Sequence, residues 1–394
     1  MGCAACREAP LARLASQRKF PAAWRVRHAG GFPCGATPLG CALMPRPAEL
    51  ARHAVPYLLC ALLAALGGGF FFLLGTPLPW LLGALAFAAA GQLGGLRLRA
   101  SRRARNGGLL VVGCALGLFF TPEAARHLAE RAWLVVGAAL LTLAVGVALS
   151  PLLARLGRMD RASALFGSVP GGVAEMSVLG EAYGARPTTV AIVQLLRVVG
   201  VVVLVPSSFA LLGIAGQIPS AAVARPLWLP GLLLLLALGA TMTALLIRLG
   251  VRNAWLLGGL FVSLGLTASG QALTGVPGWV SAIAQLAMGA QLGVQFERAA
   301  FLGGGRLLAA AVLHVLLLTG LCALLGWLLA AVFGLDLPTM VLATAPGGVA
   351  EMSITAKTLL LDVPVVVAFH LVRIALTAVL VQPCSVVLRR WGLL

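Results

Sequence analysis

Charged residues are scarce in this sequence. Only 10% of the 394 residues are charged, 29 Lys+Arg and 11 Asp+Glu, whereas 60% are hydrophobic and the mean hydropathy is +1.01. Soluble domains have about 25% charged residues, so this chain lacks the polar groups to cover a soluble surface. The scarcity excludes a soluble enzyme and predicts a polytopic membrane protein. In such a protein, basic residues concentrate in cytoplasmic loops. The net charge of +18 is therefore not interpreted as a nucleic-acid-binding surface.

Histidines are also few, and nucleotide-binding motifs are absent. Of five histidines, only His314 and His370 lie within apolar segments, whereas a copper site needs several converging imidazoles. The sequence has no Walker A motif and no soluble segment large enough for a helix-turn-helix domain. We therefore expect a non-enzymatic protein with no catalytic residues, no metal, no cofactor and no direct nucleic-acid partner. Its expected partners are the lipid bilayer and a small molecule or ion of unknown identity.

Residues 1–43 lack an apolar run long enough for a signal peptide. This stretch holds six basic residues and four of the eight cysteines, and it ends just before Met44. We interpret it as a disordered or spurious N-terminal extension. Two alternatives stay open: an Arg- and Ala-rich targeting arm, and a metal or redox pair formed by Cys3 and Cys6. The other four cysteines lie in apolar segments and are interpreted as packing residues.

Ten apolar segments have roughly the 20 residues that a helix needs to cross a bilayer. Two further segments, 163–182 and 339–358, are apolar but contain Pro-Gly-Gly. The predicted crossings are 54–74, 77–96, 107–121, 132–153, 187–214, 227–247, 254–274, 277–295, 307–333 and 364–387.

One eight-residue motif occurs twice in the chain. Pro-Gly-Gly-Val-Ala-Glu-Met-Ser spans 170–177 and recurs unchanged at 346–353, an offset of 176. The sequence therefore predicts an internal duplication into two membrane repeats, 50–222 and 226–394. The same offset also pairs polar residues, Gln194 with His370 and Arg197 with Arg373.

The distribution of arginines predicts that the two repeats are inverted. With five crossings per repeat and a cytoplasmic start, 17 basic residues fall inside and 3 outside, as the positive-inside rule requires. We therefore predict an all-α fold of about ten transmembrane helices in two inverted five-helix repeats. Each repeat then contains one Pro-Gly-Gly segment, either broken or re-entrant, and both termini are cytoplasmic. A homo-oligomer is left open.

The repeated motif predicts a functional site inside the membrane. Pro and Gly-Gly interrupt a helix and free backbone groups that lipid cannot satisfy, and Glu175 and Glu351 fall in the first turn that follows. Ionisable groups at this depth are costly and usually functional. The alternative is structural, with buried Glu–Arg pairs that fix the fold. The predicted substrate- or ion-binding residues are Pro170, Gly171, Gly172, Glu175, Gln194, Arg197, Pro346, Gly347, Gly348, Glu351, Lys357, His370 and Arg373.

The duplicated Pro-Gly-Gly-x-x-Glu-Met, with Gln-x-x-Arg or His-x-x-Arg downstream, resembles the AbrB-family integral membrane proteins over residues 50–394. These are bacterial proteins built from an internal duplication, distinct from the small soluble DNA-binding regulators of the same name. The resemblance implies a bacterial inner-membrane protein. Members often carry the labels ammonia monooxygenase or regulator of gene expression, and the shortage of histidines argues against the first.

Two functions are compatible with these features. Inverted repeats with broken segments and buried charges predict a secondary transporter, for a small anionic or zwitterionic solute attracted by Arg197, Arg373 and the half-helix N-termini. Glu175 or Glu351 would then couple transport to protons. The alternative is a membrane sensor or regulatory component that acts indirectly on gene expression without moving a solute.

Overall fold

The computed structural model describes residues 47–214, 216, 226–251, 253–271, 273–296, 298 and 304–390. The predicted N-terminal extension 1–43 and its cysteines lie outside these residues. In the described part of the chain, all regular secondary structure is helical. Residues from Ala51 onward belong to one compact unit.

Fifteen helices form the described part of the chain. Several begin at a proline in the first turn, where the missing N–H costs no hydrogen bond. The helices are α1 Pro47–Leu73, α2 Pro79–Leu93, α3 Arg102–Gly117, α4 Pro122–Glu130, α5 Ala132–Gly157, α6 Arg161–Ser168, α7 Val173–Ala182, α8 Pro187–Leu211, α9 Leu229–Arg248, α10 Ala254–Ala268, α11 Gly278–Gly293, α12 Gly305–Phe333, α13 Leu337–Thr344, α14 Val349–Thr358 and α15 Val363–Arg390.

Six of these helices, α1, α5, α8, α9, α12 and α15, are long and apolar enough to cross a membrane. The number rises to seven if α3 and α4, which meet at an 88° bend, form one span. The predicted ten crossings are therefore not confirmed. The difference lies in α2, α3, α10 and α11, which have only 15 or 16 residues. At 1.5 Å per residue they are shorter than a bilayer core of about 30 Å.

The helix boundaries recur at the offset of the sequence repeat. Helices α6, α7 and α8 begin at residues 161, 173 and 187, and α13, α14 and α15 begin 176 positions later. Helix α2 begins at 79, and α10 begins 175 positions later. The duplicated sequence thus specifies the same succession of long helices, short helices and interrupted segments twice.

Equivalent helices of the two copies pack antiparallel. At one end of the α5–α12 pair, Trp133 near the start of α5 contacts Phe333 at the end of α12, with ring centroids 5.3 Å apart. At the other end, Nε of Arg306 donates a hydrogen bond of 2.9 Å to the carbonyl of Leu156. The contacts of both ends fix the direction of each helix, so α12 runs opposite to α5.

Close packing of glycines joins the short helices of one copy to those of the other. A Cβ on Gly113 of α3 would overlap the backbone of Leu256 in α10, and a Cβ on Gly289 of α11 would overlap that of Leu81 in α2. The two contacts are equivalent positions with the copies exchanged, which is the pattern of a two-fold axis. Small residues let helix backbones approach this closely in a membrane protein.

Candidate functional site at the two interrupted segments

Each Pro-Gly-Gly lies at the tip of a hairpin formed by two short helices. In the first copy, the N–H of Arg186, in the connection after α7, donates to Oγ of Ser163 near the start of α6 at 2.7 Å. In the second copy, the N–H of Asp362, in the connection after α14, donates to Oγ1 of Thr339 near the start of α13 at 3.2 Å. Each segment therefore begins and ends at the same level of the fold.

The hairpins are fixed at both ends by repeated hydrogen bonds. At the open end, the carboxylates of Asp160 and Asp336 cap α6 and α13. They accept hydrogen bonds from the backbone N–H groups of Ser163 and Thr339 at 2.7 and 3.0 Å, as acidic N-cap residues commonly do. At the tip, the hydroxyl of Ser168 donates to a carbonyl of α5, and Oγ1 of Thr344 donates to the carbonyl of Cys322 in α12 at 2.8 Å. The tips are thereby held against long helices.

Arg197 of α8 closes the break of the first copy. Its side chain is only 3% exposed, and its Nη1 and Nη2 donate to the carbonyls of Val169 and Gly171 at 3.3 and 3.0 Å. These carbonyls flank Pro170, where the helix is interrupted. The guanidinium fork thus supplies the hydrogen bonds that the interrupted backbone has lost, a geometry suited to two neighbouring acceptors.

Arg373 of α15 repeats this arrangement in the second copy. The side chain is 4% exposed, and Nη1 donates to the carbonyl of Ala345 at 2.6 Å while Nη2 donates to that of Gly347. The described Nη bonds of both arginines therefore go to backbone carbonyls. From the sequence, we predicted both arginines near the breaks. In the structural alternative, their expected partners were carboxylates rather than backbone carbonyls.

Gln194 and His370 occupy equivalent buried positions but bond differently. Nε2 of Gln194 donates to the carbonyls of Phe166 and Val169 at 2.6 and 2.9 Å, so this side chain also supports the break. Nδ1 of His370 lies 2.9 Å from the carbonyl of Val366, one turn earlier in its own helix. The glutamine thus ties α8 to the hairpin, whereas Nδ1 of the histidine bonds within α15.

Several buried polar atoms around the breaks have no hydrogen-bond partner within the described residues. Four of these atoms lie on two pairs of equivalent residues, and each pair consists of one residue from the first copy and one from the second. Such atoms are costly unless a further group bonds to them. The site can therefore accept additional polar contacts. The atoms are Oε1 of Gln194, Nε2 of His370, Nε of Arg197 and Nε of Arg373.

Glu175 and Glu351 each fold back over the N-terminus of their own half-helix. A Cβ on Gly172 would lie 3.1 Å from the carboxyl carbon of Glu175, and a Cβ on Gly348 would overlap the carboxylate of Glu351. The glycines therefore make room for the carboxylates beside the free N–H groups that begin α7 and α14. Arg105 of α3 also acts electrostatically on Glu351.

The two equivalent hairpins differ in burial. In α7 the side chain of Val178 is 70% exposed, whereas its counterpart Ile354 in α14 is 5% exposed. Gly172 and Ala174 are likewise exposed, whereas Ala350 is buried. Helix α14 packs against α3, and this contact accounts for its burial. One sequence motif thus occupies an open and a covered environment within the same chain.

One predicted site residue lies away from the breaks, and one residue that was not predicted lies at the first break. Lys357 lies in the last turn of α14 and lines a cavity with α3 and α11. Thr377, which the sequence did not single out, places Oγ1 3.2 Å from the carbonyl of Pro170 and so links the second copy to the first break. Its position one turn after Arg373 on the same helical face is the signal that could have identified it. Among the described residues, no group of three or more His, Cys, Asp and Glu side chains is placed to hold a metal.

Comparisons with known proteins agree on one family. The sequence model described as "Transition state regulatory protein AbrB" matches residues 80–389. A protein of Escherichia coli K12 named "Putative regulator AbrB" is 29% identical over 329 residues, covering 80% of this chain and 91% of the relative. A Bacillus subtilis 168 protein, "Uncharacterized protein YhjN", is 28% identical over 349 residues, covering 82% of this chain and 90% of the relative.

Proposed function

This chain belongs to the AbrB family, and we propose that it is a secondary transporter for a small solute, with its site between the two interrupted hairpins. The observation that carries the proposal is the repeated clamp of Arg197 on Val169 and Gly171 and of Arg373 on Ala345 and Gly347. Interrupted helices at equivalent positions of two repeats mark the substrate site in many transporters.

The antiparallel packing of α5 and α12 supports an inverted arrangement of the repeats. Both helices are long enough to cross a membrane, and they are equivalent in the duplication. If both cross, the second copy has the opposite orientation to the first. Five crossings per copy then require α2, α3, α10 and α11 to traverse the membrane as short helices, enclosed by long neighbours. With a cytoplasmic N-terminus, this topology also gives the arginine distribution expected for a bacterial inner membrane.

The unequal burial of the two hairpins supports alternating access. Because α7 is exposed and α14 is covered, two nearly identical elements occupy two environments. In an inverted repeat, exchange of these environments between the copies would open the opposite face of the membrane. The proposed cycle therefore consists of covering α7 while uncovering α14.

The charges near the breaks favour an anionic or zwitterionic solute. Arg197 and Arg373 are buried, and the N-termini of α7 and α14 add partial positive charge. Glu175 and Glu351 lie in the first turns of those helices, where protonation of a carboxylate would change the attraction for an anion. We propose that one of these two carboxylates couples solute movement to protons.

A second candidate is a membrane sensor without solute flux. The name "Putative regulator AbrB" of the Escherichia coli relative favours it. A sensor would use the same buried arginines to bind a ligand and would change the covered state of α14 without opening both faces. The two candidates differ in one measurable property, net movement of solute.

The test is transport by the purified full-length protein in proteoliposomes that contain a pH-sensitive dye. Small carboxylates and amino acids are added outside one at a time, and proton movement is recorded. We expect at least one compound to drive a proton flux that protein-free vesicles lack. Absence of flux for every compound, together with specific binding of one of them, would contradict the transporter and favour the sensor.

A further inference from the structure

A cavity of about 210 Å³ lies between α3, α11 and α14, apart from the two breaks. Apolar side chains of Val112, Leu116 and Ile354 form one part of its lining, and polar side chains of Ser281 and Gln285 form another. The last turn of α14 adds Lys357. An apolar wall with a few convergent polar groups is the usual composition of a small-molecule site.

The polar groups of this cavity lack partners in the described part of the protein. Oγ of Ser281 and Oε1 of Gln285 are buried without a hydrogen bond. Lys357 is half-buried, and its side chain forms neither a hydrogen bond nor an ion pair with any described residue. A half-buried ammonium without a carboxylate nearby attracts an anion.

The type of base at this position is itself unusual for this chain. Of its 29 basic residues, only Lys19 and Lys357 are lysines, and the others are arginines. In the first copy, the position equivalent to Lys357 carries Glu181, and the position equivalent to Ser281 carries Arg105. In the first copy, these two positions therefore hold an arginine and a glutamate. In the second copy, they hold an uncharged serine and a lysine, so the lysine is the only charged residue of the two.

The orientation of α11 adds to the attraction for an anion. Its first residue, Gly278, also lines the cavity, and Ser281 lies in its first turn. Backbone N–H groups at a helix N-terminus are free to donate and carry partial positive charge. The lysine, the serine hydroxyl and these N–H groups together provide donors for one carboxylate.

We propose that this cavity binds a small organic carboxylate, with its carboxylate at Lys357 and Ser281 and its alkyl part against Val112, Leu116 and Ile354. A cavity of roughly 150 Å³ holds a benzene-sized molecule, so this one accommodates a ligand of up to about eight heavy atoms. The apolar lining favours a short carboxylic acid over inorganic phosphate. The site does not depend on transport, since a transporter or a sensor could use it equally.

Binding of butyrate by the detergent-purified full-length protein tests the proposal, with uncharged butyramide as the matched ligand and inorganic phosphate as the competing anion. We expect calorimetry to detect butyrate binding but neither butyramide nor phosphate binding. A charge-assisted hydrogen bond contributes about 1.5–3 kcal/mol, so Lys357→Gln should weaken butyrate binding about tenfold or more. Lys357→Arg should retain most of the affinity. Arg155→Met, which removes an exposed arginine outside the cavity, should leave it unchanged.

A second measurement needs no variant and so remains decisive if Lys357→Gln fails to fold. Amine acetylation of the native protein is followed by mass spectrometry, with an added lysine-containing peptide as the reference. Butyrate should slow acetylation of Lys357 several-fold relative to this peptide, and butyramide should not. Equal acetylation with and without butyrate, preferential binding of phosphate, or butyrate affinity unchanged in Lys357→Gln would overturn the proposal. Binding without flux would leave this site intact and contradict only the transporter.

Discussion

Trp133 and Phe333 stack edge to face 5.3 Å apart, although Trp133 lies in the first turn of α5 and Phe333 is the last residue of the equivalent helix α12. The contact joins the beginning of one copy's helix to the end of the other's. Together with the bond from Arg306 to Leu156 at the other end of the pair, this contact shows that the two helices run in opposite directions. The relationship connects the duplicated sequence to the inverted arrangement on which the proposed transport cycle depends.

The first prediction concerns topology. Arg161 at the start of α6 and Leu337 at the start of α13 are equivalent exposed positions. In an otherwise cysteine-free protein, Arg161→Cys should react with a membrane-impermeant thiol reagent only from the cytoplasm, and Leu337→Cys only from the opposite face. Labelling of both positions from the same side of oriented vesicles would mean that the copies are parallel.

The second prediction concerns the arginine clamps. Arg197→Met removes the donors to two buried carbonyls, so we expect the free energy of unfolding in detergent to fall by about 2 kcal/mol. Arg373→Met should have a similar effect because its bonds are equivalent. The measurement is denaturant unfolding in mixed micelles. The control is Arg155→Met, which alters an exposed side chain and should change stability by less than about 0.5 kcal/mol. Equal stability of Arg197→Met and the control would remove the structural role assigned to the clamp.

The third prediction concerns the packing between the copies. Gly113→Ala and Gly289→Ala each place a methyl group against the backbone of a facing helix, and overpacking of this kind costs about 1–3 kcal/mol. The two losses should be similar because the contacts are related by the two-fold axis. Gly137→Ala is the control, since a Cβ there meets nothing within 4 Å. A clearly unequal effect of the two substitutions in thermal unfolding would argue against symmetric packing.

The fourth prediction concerns the glycines that begin the half-helices. At Gly348 a Cβ would occupy the space of the Glu351 carboxylate, whereas at Gly172 the corresponding contact with Glu175 is 3.1 Å. Gly348→Ala should therefore displace its carboxylate more than Gly172→Ala. We expect proton-coupled flux to fall several-fold in Gly348→Ala and less in Gly172→Ala. The opposite order in the same proteoliposome assay would show that the carboxylate position beside the helix N-terminus is unimportant.

Much of this arrangement could be predicted from the sequence because the motif is repeated without a gap. The identical Pro-Gly-Gly segments predicted the two interruptions. The equivalence of Arg197 and Arg373 in the duplication predicted one arginine near each interruption. The partners of these bases could not be predicted, because backbone carbonyls carry no residue-specific signal and become acceptors only when α8 or α15 packs on a hairpin tip. The ten predicted crossings are not confirmed for a related reason. Hydropathy windows extend through the turns that end α2 and α10, and composition alone does not reveal where a helix stops.

The most direct test of the central claim is proton-coupled solute flux in proteoliposomes after replacement of both motif carboxylates. If the hairpins form a proton-coupled transport site, the double variant Glu175→Gln, Glu351→Gln should fold and bind the solute, but its proton-coupled uptake should fall to the level of protein-free vesicles. Uptake and proton movement equal to those of the wild-type protein in the same vesicles would contradict the account.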